Sequence, residues 1–183
     1  ESFGKLGMLG ALILILVYIV MASQFESFSN PGIIMFTVPF ALSGVILALW
    51  MTGVSLDMIG ALGIVLLVGI VVKNGIVLVD YINLMRERGH DLNEAIQISG
   101  QSRMRPVLMT AFTTILGMVP MAVSQGEGAE MWRPLGIVVI GGLTVATFLT
   151  LYIVPVIYGA MSKKGERDKL KKVRENFIFM DIE

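Results

Sequence analysis

The sequence predicts an all-α membrane protein, a bundle of five transmembrane helices. Three observations carry this. Only 15% of the 183 residues are charged, where a soluble domain carries about 25%. The apolar residues fall in long runs, each near the ~20 residues that a helix needs to cross a hydrocarbon core. The runs are also continuous, unlike the short alternating segments of a membrane β-barrel. In lipid a spanning backbone must satisfy its own hydrogen bonds, so such runs are helices.

Taken in order, the first span is expected over 6–25 and the second over 33–51, with Pro39 and Gly44 inside it. The third, over 56–85, is the longest; the fourth covers 107–124 and the fifth 135–161. Between the third and fourth, "GHDLNEAIQISGQSRMR" reads as a short amphipathic surface helix. Asp91 or Asn93 would cap it, and Leu92, Ala95, Ile96 and Ile98 form its apolar side. Pro106 is expected to separate it from the fourth span. Pro39, Pro120 and Pro155 are expected as kinks, which membranes tolerate. Gly136, Gly141, Gly142, Ala146 and Ala160 supply small residues for close helix contacts. Residues 1–162 thus form the bundle and 163–183 a basic tail.

Loop charge gives the orientation. Arg86, Arg88, Arg103 and Arg105 follow the third span, and Lys163, Lys164, Arg167, Lys169, Lys171, Lys172 and Arg174 follow the fifth. Both regions are expected in the cytoplasm. The loop "QGEGAEMWRP", with Glu127 and Glu130 against Arg133, is then outside. Five spans and a cytoplasmic C-terminus place the N-terminus outside. With Glu rather than Met at position 1, the chain reads as a fragment preceded by a large external domain.

Composition excludes several functions. Net charge is zero, so nothing points to nucleic acid, and without cysteine there are no disulfides or thiolate metal sites. His90 is the single histidine, so there is no histidine metal cluster. No phosphate-binding glycine motif or nucleophile elbow is present. The expectation is a protein without cofactor or enzymatic activity.

The chemistry concentrates in "GIVVKNGIVLVDY", Gly69 to Tyr81. Lys73 falls near mid-membrane, where an ionisable residue costs at least ~2.5–3.5 kcal/mol. Such residues usually face a bundle interior and pair with another charge. Lys73 reads as part of a proton or ion relay, or as a paired lysine that fixes packing. Asp80 is seven residues on, ~10 Å nearer the cytoplasm, too far for a direct pair; either Arg103 or Arg105 is its partner, or it is an interfacial carboxylate in water. Asn74 can donate and accept, and could orient Lys73. On the fourth span Thr110, Thr113, Thr114 and Gly117 suggest a close polar interface, although membrane threonines commonly bond the carbonyl one turn back.

These residues carry a family resemblance. "GIVVKNGIVLVDYINLMRERGHDLNEAI", "RMRPVLMTAFTTILGMVPMAV" and "GEGAEMWRPLGIVVIGGLTVATFLTLYIVPVIY" resemble the end of resistance–nodulation–division (RND) efflux transporters. "ASQFESFSNPGIIMFTVPFALSGVILAL" resembles the preceding helices, so the likeness covers about residues 1–162. The resemblance implies a twelve-helix fold in which this chain supplies helices eight to twelve. In the family, an aspartate pair on the fourth helix faces a lysine on the tenth and an arginine and threonine at the eleventh. Lys73 matches the lysine, Thr110 the threonine and Arg103 the arginine, while Asn74 and Asp80 sit at an Asn and an acidic position. The lysine in "VVKNG" favours the hydrophobe/amphiphile, multidrug branch, with metal- or lipid-exporting relatives as the alternative.

The resemblance further implies proton antiport, a homotrimer in the bacterial inner membrane, and a periplasmic adaptor with an outer-membrane channel. The aspartate pair would lie in an N-terminal half outside this chain. The competing reading is a stand-alone five-span protein with a structural or partner-binding role. That reading requires a local partner for Lys73, yet spans one, two, four and five hold no acidic residue in their cores.

Overall fold

The structure, a computed structural model, describes residues 2–126 and 128–180, with side chains over 4–5, 7–126 and 128–163. It is all-helical among the described residues: α1 (Ser2–Phe25), α2 (Ser29–Met35), α3 (Thr37–Thr52), α4 (Met58–Glu87), α5 (Leu92–Val123) and α6 (Ala129–Met180). Five segments are long and apolar enough to cross a membrane: Gly7–Phe25, Ser29–Thr52, Met58–Glu87, Leu92–Val123 and Ala129–Lys163. The second is α2 and α3 together. The side chains of the basic tail beyond Lys163 lie outside the described residues, while the α6 backbone continues to Met180.

The prolines act unevenly. Pro39 lacks an N–H, and its ring meets the carbonyl four residues back, that of Met35. The second span breaks there, at Phe36 between α2 and α3. Pro106 breaks nothing: the expected surface helix and the fourth span are one continuous helix, α5. A proline inside a helix costs ~3 kcal/mol, but α5 buries Leu92, Ala95, Ser99, Val107 and Ala111 on both sides of it. Likewise α5 runs through Pro120, and α6 through Pro134 and Pro155.

Local signals set the ends of α4. Asp57 takes the N-cap position, and its Oδ1 accepts a hydrogen bond from the Gly60 N–H at 2.6 Å. At the other end Gly89, with φ +93°, turns the chain, and His90 N–H bonds Met85 C=O. Asp91, not Asn93, precedes α5, though its side chain makes no capping bond.

The bundle is organised around α6, which packs on α2, α3, α4 and α5. Glycines allow this. A Cβ on Gly44 would stand 2.7 Å from the Gly141 carbonyl, so α3 and α6 meet backbone to backbone. Gly142 similarly has no room for a side chain between Leu67 and Val45, and Gly136 lies against Ala122. Ala146 is buried as expected, whereas Ala160 is exposed. By contrast α1 is peripheral and touches only α2 and α4. Only 6% of its spanning segment is buried, against 50% for α6. Gly7 and Gly10 leave an apolar cleft of about 300 Å³ between it and Val38, Leu42, Ile64 and Val68.

Candidate functional site

The depth of each site residue follows from the helix registers. Gly60 lies against Pro134, Gly63 against Leu135 and Val138, and Leu67 against Gly142; further along, Asn83 is bonded to Tyr158. So α4 and α6 run parallel with a nearly constant offset. Gly136 against Ala122 and Gly159 against Ile96 make α5 antiparallel to α6. One core cluster joins Val71, Ala111 and Ala146. Lys73, Thr110 and Thr147 are therefore at one depth on three neighbouring helices.

Within that layer the side chains are not bonded to one another. Lys73 is exposed on the bundle surface rather than facing the interior of these five helices. It makes no hydrogen bond or ion pair among the described residues. Asn74 is half-buried and continues the Leu67–Val71 strip. Thr110 Oγ1 donates to the Pro106 carbonyl at 2.7 Å and lies 3.1 Å from that of Val107. Thr113 and Thr114 also bond back, to Met109 and Thr110. A Cβ on Gly117 would meet nothing within 4 Å. The close polar interface expected along Thr110, Thr113 and Gly117 is not formed with another helix of this chain; the threonines spend their donors on their own helix.

Arg103 and Asp80 do not pair. Asp80 is exposed with no ionic partner among the described residues. The Arg103 guanidinium carbon instead stands 4.4 Å from the centroid of the Tyr81 ring, two turns of α5 (~10 Å) from Thr110. Its Nε is buried and unbonded, as is the Ser99 hydroxyl one turn earlier. Among the described residues no group of three His, Cys, Asp or Glu side chains is placed to hold a metal ion.

Two residues escaped the sequence reading. Tyr81 could have been found by folding the α4–α5 hairpin about Gly89, which sets an aromatic ring opposite the stretch of α5 that holds Arg103. Thr147 has no sequence signal: it is one of several span threonines, yet its hydroxyl alone among them is buried without a partner.

The five helices thus form a parallel α4–α6 pair flanked by an antiparallel α5, with lysine and threonine at one depth. The chain belongs to the AcrB/AcrD/AcrF family, whose model matches residues 1–162. Within it, the chain is 44% identical over 154 residues to the cobalt-zinc-cadmium resistance protein CzcA of Cupriavidus metallidurans. It is equally similar to the cation efflux system protein CzcA of an Alcaligenes species. These matches cover 84% of this chain but 14% of each relative's length. Two crystal forms of a heavy metal efflux pump superpose with TM-scores of 0.77 and 0.74 at 35% identity. They cover 84% and 86% of this chain and 15% of that pump.

These relatives correct the expectation of the multidrug branch and point to the metal-efflux branch instead. That expectation rested on the likeness of the quoted motifs and on Lys73. A lysine at this depth answers to the energetics of the membrane, not to the cargo, and so does not mark the branch.

Proposed function

We propose that this chain is the helix eight-to-twelve portion of a proton-driven RND pump that exports divalent heavy-metal cations. It supplies Lys73, Asn74, Asp80, Arg103 and Thr110 to the intramembrane relay. The metal is cargo, suggested by the names of the similar proteins. The observation that carries the relay is the common depth of Lys73 and Thr110 on adjacent helices, with no counter-charge for Lys73 among the described residues.

The chemistry is a charge switch. Carboxylates contributed from outside this chain, when ionised, hold Lys73 by charge-assisted hydrogen bonds. Protonation removes that attraction, and Lys73 turns toward Thr110, whose hydroxyl is free to re-aim because its present bonds are to its own helix. A lysine is tolerable at this depth when paired, and useful because the pairing depends on protonation. The assembled pump is a homotrimer in the bacterial inner membrane, working with a periplasmic adaptor and an outer-membrane channel. Its N-terminal end here is periplasmic and the basic tail, 163–183, cytoplasmic.

The test is reconstitution of the intact transporter in vesicles under a proton gradient, with zinc, cobalt and cadmium as cargo. Metal movement that depends on the gradient is expected, and Lys73→Ala abolishes it while the protein still inserts. Wild-type transport by Lys73→Ala would remove the relay assignment. Transport of none of the three metals would remove the cargo assignment.

A further inference from the structure

We propose that Tyr81 is the positioning residue for Arg103: its ring holds the guanidinium in place while leaving the arginine's hydrogen-bond donors unspent. This rests on the reading of Arg103 as a relay residue. The geometry is direct, with the guanidinium carbon 4.4 Å from the ring centroid, inside the ~6 Å range of a cation–π contact.

Arg103 has no carboxylate in contact among the described residues, and Asp80, beside Tyr81 in the chain, is turned outward. A half-buried guanidinium normally finds carboxylate or carbonyl acceptors. Here its Nε is buried and unbonded. A ring face attracts the positive charge without consuming any N–H, so the cation is held and partly desolvated with its donors available. Ser99 adds to this. It is fully buried one turn before Arg103 on the same side of α5. Its hydroxyl bonds no partner, unlike the threonines further along the helix. Neither donor has an acceptor among the described residues.

The ring is carried by α4, the helix of Lys73, and the arginine by α5, the helix of Thr110. The contact therefore links the two relay helices about two turns of α4 away from the lysine, and any sliding of α4 on α5 moves the guanidinium with the ring.

The test uses the intact transporter, with Tyr81 replaced by Phe, Trp, and phenylalanines bearing one, two or three ring fluorines. Fluorination weakens the ring's attraction for a cation with little change in its shape. Zinc transport per assembled trimer is measured beside the thermal midpoint. Phe and Trp are expected to keep near wild-type rates, and the fluorinated series to fall stepwise, reaching roughly 2- to 30-fold below Phe, the span of a lost cation–π contact. A flat transport series with Arg103→Ala inactive overturns the role of Tyr81 but leaves the relay reading standing. A series in which only the thermal midpoint moves assigns Tyr81 to packing and equally overturns the proposal. Wild-type transport by Arg103→Ala removes the relay role of Arg103 itself.

Discussion

The Tyr158 hydroxyl donates to the Asn83 side-chain carbonyl at 2.5 Å, joining α6 to α4 across 75 positions of sequence. Tyr158 is almost fully buried, and Asn83 half-buried, beside a polar cleft shared with Asn30, Arg86 and Glu87. The bond fixes the axial register of the two parallel helices at the end opposite Gly60 and Pro134. Tyr158→Phe keeps the ring and leaves the Asn83 oxygen without its donor. A loss of about 1–2 kcal/mol is expected, read as a lower thermal midpoint in detergent, with insertion unchanged.

The polar layer gives a second expectation. Thr110→Ser keeps a hydroxyl at the depth of Lys73 and is expected to retain transport in the intact pump. Thr110→Val, nearly the same shape, is expected to lose at least ~10-fold, a loss of about 1.4 kcal/mol in stabilisation of the switched state. Equal rates for the two variants would show that the hydroxyl takes no part.

Thr147 separates stability from function. Its hydroxyl is buried without a partner, and such a group costs about 1–3 kcal/mol. Thr147→Val should therefore be neutral or raise the thermal midpoint. If transport falls while stability rises, the hydroxyl is used at another stage of the cycle; if neither changes, it is a tolerated packing defect.

Close packing of α3 on α6 is equally exposed to test. Gly44→Val places a branched side chain where the Gly141 carbonyl and Val145 already stand. Overpacking of this kind costs ~1–3 kcal/mol or more. The expected result is reduced folded protein in the membrane, while Gly100→Ala, with nothing within 4 Å, leaves the yield unchanged.

Much of this architecture was readable from the chain. Spans were legible because apolar runs of helical length have one outcome in lipid, and the alternation of charged loops placed α4 and α6 parallel. Lys73 stood out because a mid-membrane charge is costly enough to demand a reason; Thr110 was matched to it by the resemblance, and the two share a depth without a bond between them. Helix continuity was not. Pro106 and Pro39 carry the same local penalty, yet only Pro39 breaks its span, although its flanks are the more buried of the two; the difference has no cause visible in the local sequence. The Arg103–Tyr81 contact was also hidden, since Asp80 offers the more obvious partner in sequence. Cargo was out of reach because no cluster of metal-ligating side chains stands among the described residues to read it from.

The backbone contact of Gly44 with Gly141 and the Gly142 slot between Leu67 and Val45 have a mechanical consequence. Helices α3, α4 and α6 are geared together with no clearance, so they turn as one block. The compliant parts are α1, seated on a cleft, and the outer face of α5, which carries Thr110. Any rearrangement of these helices is thus expected at the rim, around the stiff block that α3, α4 and α6 form.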